Sequence, residues 1–309
     1  MPDLFGDRLI DAIAAKAAPI CVGIDPMFDQ FPAELTEDVD PGDTDAVLDA
    51  IFEFTIRVLE VVAPLVPVVK FQSAYFEKYL WEGVEAYYSL IAEAKAMGLL
   101  VIGDIKRGDI GTTAAAYAEA HLDDVATDDI EDASTPDAVT VNPMLGADTV
   151  EPFVKVAKAT DKGIFVLVRT SNPGSAEFQD VALTDGRTWS EMLADRVNQI
   201  ATAEGLVGSS GYSSIGAVVG ATQPQTMQSL RQRMPKSIFL LPGYGAQGAT
   251  ADMTRLAFQD GKGAIVSASR SILYAHKDQK HAVHFGDDWE AAVKQAVLNM
   301  KADLANVLG

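Results

Sequence analysis

The sequence repeats one pattern eight times: a short apolar run rich in β-branched residues, followed by a longer amphipathic or alanine-rich stretch. The runs lie at residues 18–25, 66–71, 99–106, 138–143, 163–170, 215–222, 237–243 and 263–269. Strands that are apolar throughout, rather than alternating, are typical of a parallel sheet buried on both faces. The eight units therefore predict a (β/α)8 TIM barrel.

The stretch GDRLIDAIAAKA, which precedes the first run, predicts an extra N-terminal helix that covers the bottom of the barrel. A doubly wound sheet is the alternative architecture, but no G-x-G-x-x-G follows the first strand. We find no stretch with the composition of a linker. We therefore expect residues 1–309 to form a single domain.

Charge and cysteine content limit the classes of partner and compartment. A net charge of −20 argues against a nucleic-acid or anionic-membrane surface. The one cysteine, Cys21, excludes an intramolecular disulfide and fits a reducing cytosol, so we expect a cytoplasmic protein. The first 25 residues carry early acids and do not resemble a signal peptide. The longest apolar stretch, VVAPLVPVV, is short and broken by prolines, so we expect no membrane span.

Polar residues stand where the strands end, and in a TIM barrel the carboxyl ends of the strands form the active face. These residues are Asp25, Lys70, Asp104, Lys106, Asn142, Thr170, Ser171, Gln247 and Arg270, and strand seven reaches Gln247 through its last residue, Pro242. Opposite charges from the first three strands should converge into an alternating array of two aspartates and two lysines. A structural ion-pair network is the alternative for any one of them. Four charges at one face favour a catalytic centre.

A second group of residues has the composition of a phosphate site. The segments LPGYGAQG (241–248) and SASRSI (267–272) follow strands seven and eight, where barrels of this kind frequently bind phosphate. Glycines permit close backbone approach, Gln247 offers an amide, and Arg270 can bind two phosphate oxygens. An ordinary glycine-rich turn with a surface arginine is the alternative.

Two long loops lie between the predicted elements. Segment 123–137 carries seven acids and no base, which predicts a solvated loop. Segment 172–187 follows strand five and is the better candidate for an active-site loop.

Six motifs in order give the chain a resemblance to a known family. They are VKFQ, DIKRGDIGTTAAAYA, VRTSNPGSAEFQD, VVGAT, LLPGYGAQG and SRSILYA. Together they resemble orotidine 5′-monophosphate decarboxylase, in the longer-chain subgroup whose strand-five segment reads R-T-S-N-P-G-S. The resemblance spans Asp25 to Arg270.

The resemblance implies a homodimeric barrel that converts orotidine 5′-monophosphate to UMP and CO₂ in pyrimidine biosynthesis, without a metal or organic cofactor. It implies that Lys106 donates a proton to C6 of the pyrimidine and that Asp104 lies beside the departing carboxylate. It further implies that Lys70 completes the charge network and that Asp25 contacts the ribose. Ser171 and Pro242 would contact the pyrimidine, and Gln247 and Arg270 would hold the phosphate. Three residues would reach across the dimer interface into the partner's site: Asp109, Ile110 and Thr113.

Two other functions remain open from the residues. A metal-dependent sugar-phosphate decarboxylase of the same barrel group would need oxygen ligands for Mg²⁺, whereas lysines occupy the charged array here. A barrel that binds a phosphate ligand without catalysis would not need the complete Asp/Lys/Asp set. Retained activity in excess chelator would separate the two decarboxylases, and failure to release CO₂ would favour the binding protein.

Overall fold

The structure, a computed structural model, describes residues 3–124 and 132–309. Eight parallel strands close into a barrel in which each strand pairs with its neighbours in sequence and β8 pairs with β1. The strands are β1 (Ile20–Ile24), β2 (Val68–Gln72), β3 (Leu100–Arg107), β4 (Ala138–Val141), β5 (Gly163–Arg169), β6 (Ser213–Val219), β7 (Ser237–Pro242) and β8 (Ala264–Ala268). The predicted TIM barrel is confirmed, and the closed order excludes the doubly wound sheet.

Helices follow the strands and form the outer layer. The α-helices are α1 (Phe5–Lys16), α2 (Thr44–Val62), α3 (Ala74–Glu77), α4 (Leu80–Ala96), α5 (Gly111–Leu122), α6 (Glu151–Ala159), α7 (Ala176–Gln179), α8 (Trp189–Ala201), α9 (Pro224–Arg233), α10 (Ala251–Thr254), α11 (Arg270–Leu273), α12 (Gln279–Phe285) and α13 (Trp289–Leu308). Side-chain caps mark several starts. Asp43 accepts from the Ala46 N–H at the start of α2, and Thr188 and Glu191 form a capping box at α8.

The predicted N-terminal helix, α1, packs against the lower end of the barrel. Phe5 and Leu9 are buried with the apolar side chains inside the barrel. The ring of Phe5 meets that of Phe165 edge-on, with centroids 6.0 Å apart. A Cβ on Gly163 would lie 2.2 Å from the Phe5 ring, so only glycine fits at the start of β5. The barrel is therefore filled from below, and its upper end is left for polar chemistry.

The acidic segment 123–137 is not the wholly solvated loop that its composition predicts. Residues 125–131 lie outside the described part of the chain, but Asp137 is buried. Its carboxylate accepts from the Val101 N–H at 2.9 Å and pairs with Arg8 at 2.7 Å. A buried backbone N–H near the start of β3 needs an acceptor, and this aspartate supplies it.

No helix within residues 3–124 and 132–309 has both the length and the apolar character needed to cross a membrane.

Candidate active site

A cavity of about 410 Å³ opens at the carboxyl ends of the strands, within the usual size range of small-ligand sites. Eight of the residues assigned to the site from the sequence line it: Asp25, Lys70, Asp104, Lys106, Ser171, Pro242, Gln247 and Arg270. Thr170, another strand-end residue, also lines it. The barrel thus brings together residues from near the start of the chain, such as Asp25, and from near its end, such as Arg270.

Asp104 is the centre of the charged array. Its carboxylate is 8% exposed and has hydrogen-bond donors at both oxygens. Oδ2 accepts from Lys70 Nζ at 2.8 Å and from Gln72 Nε2 at 3.1 Å. Oδ1 accepts from Lys106 Nζ at 2.6 Å and from the Thr140 hydroxyl at 2.8 Å. A buried carboxylate with four donors is fixed in place before any ligand arrives.

The pairing also fixes the charges. Burial alone would raise the pKa of Asp104, but the ammonium groups of Lys70 and Lys106 outweigh it and hold this pKa well below its ordinary value. Burial alone would lower the pKa of Lys70, but attraction to Asp104 and Asp25 outweighs it and raises this pKa. Both groups are therefore ionised at neutral pH.

Asp25 extends the array, with its Oδ1 3.9 Å from Lys70 Nζ. The backbone around it is held by Tyr274, whose hydroxyl donates to the Asp25 carbonyl at 2.8 Å and accepts from the Met27 N–H at 2.7 Å. Burial raises the pKa of Tyr274, so the hydroxyl keeps the proton that this contact requires. A side chain that follows β8 thereby fixes the end of β1.

The side formed by the loops after β7 and β8 is more open. Gln247 and Arg270 are exposed, and no carboxylate within residues 3–124 and 132–309 forms an ion pair with Arg270. Gly243 has φ +112°, and a Cβ there would lie 3.3 Å from Gln247 Oε1 and 3.6 Å from the Ser171 Cβ. Glycine at this position lets both side chains reach the same space.

The loop after β5 is held by a buried arginine that the sequence analysis did not single out. Arg169 donates to both carboxylate oxygens of Asp180, at 2.8 and 2.9 Å, and to the Thr170 carbonyl at 2.7 Å. These contacts fix the chain on either side of Ser171. The start of segment 172–187 also lines the cavity through Asn172, as expected of an active-site loop.

Asp109, Ile110 and Thr113 do not line this cavity. Ile110 is 62% exposed and Thr113 is exposed, while the Asp109 carboxylate accepts from the Ile110 N–H at 2.7 Å. Asn142 is exposed as well and does not line the cavity. Contacts of the first three residues with a partner's site stay a prediction.

Sequence reasoning missed Gln72, Thr140 and Tyr274. Gln72 could have been found, since it stands two positions after Lys70 and a strand presents such residues on one face. Thr140 could also have been noticed as the one hydroxyl in the apolar run AVTV. Tyr274 stands in the motif SRSILYA, but the motif does not indicate its contacts, because its partners are backbone atoms near the other end of the chain.

The array itself is poorly suited to a metal ion. Both oxygens of Asp104 already accept from ammonium groups, and lysines supply no lone pair while charged. Across the part of the chain that the structure describes, no three His, Cys, Asp or Glu side chains are grouped so as to hold a metal.

Comparisons with known proteins agree with the fold and show the family. The sequence model described as "Orotidine 5'-phosphate decarboxylase / HUMPS family" matches residues 18–284. The chain is 41% identical to orotidine 5′-phosphate decarboxylase of Rhodopirellula baltica, covering 97% of this chain and 98% of the relative. It is 36% identical to that of Caldicellulosiruptor bescii, covering 97% of each. The structure of Leishmania donovani OMP decarboxylase superposes with a TM-score of 0.69 at 27% identity, covering 96% and 99% of the two chains.

Proposed function

The chain belongs to the orotidine 5′-phosphate decarboxylase / HUMPS family, and we propose that its upper cavity is where it converts orotidine 5′-phosphate to UMP and CO₂. The protein is a carboxy-lyase of pyrimidine biosynthesis, as its relatives are. One observation carries the assignment of the reaction to this cavity. The paired Asp25, Lys70, Asp104 and Lys106 face the same space as Gln247 and Arg270.

Lys106 is the proposed proton donor. Breaking the bond between C6 and the carboxylate carbon leaves an electron pair on C6, which the pyrimidine ring delocalises poorly. An ammonium held beside C6 stabilises that charge as it develops and then transfers its proton to C6. The Lys106 amine regains a proton from water after UMP leaves. The 2.6 Å contact with Asp104 holds the ammonium in the cavity from the start.

The remaining residues bind the nucleotide. Arg270 and Gln247 are proposed to hold the phosphate, Ser171 and Pro242 the pyrimidine, and Asp25 the ribose. The ionised Asp104 lies next to the position proposed for the substrate carboxylate and favours its departure. Binding energy from the remote phosphate offsets the cost of bringing these like charges together.

We further propose a homodimer with shared active sites, and Asp109, Ile110 and Thr113 would reach the partner's cavity. The support is a set of exposed apolar side chains in segments that follow the upper ends of β2, β3 and β4: Leu80, Trp81, Ile110, Met144 and Leu145. Exposed apolar side chains grouped at one end of a barrel are typical of a protein interface.

Subunit exchange tests the shared sites. Lys106→Ala and Asp109→Ala proteins, each inactive, are mixed under conditions of confirmed exchange. About half of the dimers are then mixed and each carries one native site, so about a quarter of wild-type activity should return. The matched control mixes Lys106→Ala with Asp25→Asn, two residues of one chain's cavity, and should regain nothing. No recovery in the first mixture would show that Asp109 acts within its own chain.

A spectroscopic assay tests the reaction itself. We expect the absorbance of orotidine 5′-phosphate to disappear on addition of the purified protein, at the same rate with and without excess EDTA. Activity that is lost in EDTA would favour a metal-dependent decarboxylase. Binding of the nucleotide with no release of CO₂ would indicate a non-catalytic binding protein.

We also propose a cytoplasmic location, which the single buried Cys21 supports.

A further inference from the structure

Lys106 sits in a backbone conformation that is unusual for a lysine within a strand. Its φ is +47°, in the left-handed region. The pairing register between β3 and β4 shifts between Gly103 and Arg107, so this end of β3 is bulged. A residue with a Cβ adopts this conformation only when the surrounding structure holds it.

Thr140 on β4 provides that support. Its hydroxyl oxygen accepts from the Lys106 N–H at 3.0 Å, and its own proton goes to Asp104 Oδ1 at 2.8 Å. The same Oδ1 accepts from Lys106 Nζ at 2.6 Å. The Thr140 hydroxyl therefore contacts the Lys106 backbone directly and the Lys106 side chain through Asp104. Together these contacts form a closed ring. Thr140 is 1% exposed, so water cannot readily replace it.

We propose that Thr140 is a positioning residue for the decarboxylation. It holds the bulged end of β3 and directs the Lys106 ammonium into the cavity, and its effect on the reaction passes through Lys106 and Asp104. The function requires a hydroxyl, because one atom must accept from a backbone N–H and donate to a carboxylate. The inference rests on the proposed role of Lys106 as proton donor.

Two substitutions isolate the hydroxyl. Thr140→Val keeps the shape and removes both hydrogen bonds, and Thr140→Ser keeps them. Thr55→Val is the matched control, since Thr55 is buried in α2 and its hydroxyl has no hydrogen-bond partner in the described parts of the chain. We expect Thr140→Val to lower kcat about 10- to 100-fold while the UMP dissociation constant changes less than about threefold. Thr140→Ser and Thr55→Val should stay close to wild type.

A second readout does not depend on turnover. Trace acetylation followed by mass spectrometry measures the reactivity of Lys106 relative to the exposed Lys262. Thr140→Val should raise this ratio about threefold or more, because an ammonium no longer held against Asp104 is reached more easily. Thr55→Val and Thr140→Ser should leave the ratio unchanged.

The outcomes are distinguishable. A Thr140→Val protein with the kcat and the Lys106 reactivity of Thr55→Val would overturn the proposal. Equal losses of turnover and UMP affinity, or no rescue by serine, would also overturn it, since they would indicate general damage to the site. An inactive wild-type protein would reject the proposed function instead, and the acetylation ratio would still decide whether Thr140 positions Lys106.

Discussion

The two sides of the cavity are built in opposite ways. The charged side, formed by β1 to β3, is paired around a buried centre: Asp104 receives four hydrogen bonds, Lys70 is 7% exposed, and the more exposed Lys106 is held by Asp104. The proposed phosphate side, formed by the loops after β7 and β8, exposes Gln247 and Arg270 to solvent. A group that is rigidly placed can favour the transition state, whereas an exposed arginine can gain its contacts only when a ligand arrives. We therefore expect turnover to depend on the first side and affinity on the second.

The largest effect should follow from Lys106→Ala. Removing the proposed proton donor and its charge should lower kcat by about 1,000-fold or more, because both would act chiefly in the transition state. Single-turnover kinetics of orotidine 5′-phosphate measure the change. A variant that kept a tenth of the wild-type kcat would show that Lys106 is not the proton donor. It would also contradict the proposed difference between the two sides.

Asp104→Asn should show that the charged side contributes more to the free energy of unfolding than the phosphate side. The substitution leaves the buried Lys70 without its closest anion, and such a loss typically destabilises a protein by about 3–5 kcal/mol. Chemical denaturation measures the free energy of unfolding. Arg270→Ala is the control on the exposed side and should stay within about 0.5 kcal/mol of wild type. Equal effects of the two substitutions would contradict the proposed contrast.

The same pair predicts how stability depends on pH. The pKa of Asp104 is held below its ordinary value of about 3.9, so its contribution is complete above that pH and disappears as the pH falls through the lower folded-state value. The pKa of Lys70 is raised, so its contribution is complete below about pH 10 and disappears in stronger alkali. The difference in unfolding free energy between wild type and Asp104→Asn should therefore stay constant between about pH 4 and about pH 10 and shrink only outside that range. A difference that shrinks near neutrality would be inconsistent with this pairing.

Much of the fold and of the charged side could be predicted from the sequence. The strands are continuous apolar runs, and Lys70, Asp104 and Lys106 stand at their ends with a spacing that a strand translates directly into one face. What could not be predicted depends on contacts between distant segments. Asp137 reads as part of a solvated acidic loop, yet it pairs with Arg8, 129 positions away. Arg169 gives no sign of its role in the sequence, because its partner Asp180 lies in the loop that follows β5.

Arg270→Ala should affect affinity more than turnover. Loss of a charge-assisted contact to the phosphate should raise the KM for orotidine 5′-phosphate by about 100-fold. The bare nucleoside should lose little, since it carries no phosphate for Arg270 to bind. Competition assays with UMP and uridine compare the two cases. Equal losses for nucleotide and nucleoside would show that Arg270 is not the phosphate anchor.

Tyr274→Phe should have the smallest effect and tests how the two sides are joined. Tyr274 follows Arg270 of the phosphate side in the sequence, but its hydroxyl holds the backbone of Asp25 on the charged side. Its removal should cost about 1–3 kcal/mol of stability. Tyr87→Phe is the matched control, because the Tyr87 hydroxyl is buried with no hydrogen-bond partner in the described residues. Identical unfolding curves for the two variants would rule out the link.

The dissociation constant of UMP, measured by titration calorimetry for Lys106→Ala and Arg270→Ala side by side, tests the division of roles most directly. UMP carries the phosphate but has already lost the carboxylate, so it reports binding without the chemical step. We expect Lys106→Ala to bind UMP within about threefold of wild type and Arg270→Ala to bind it about 100-fold more weakly. Equal weakening in both variants, or a larger loss in Lys106→Ala, would contradict the account.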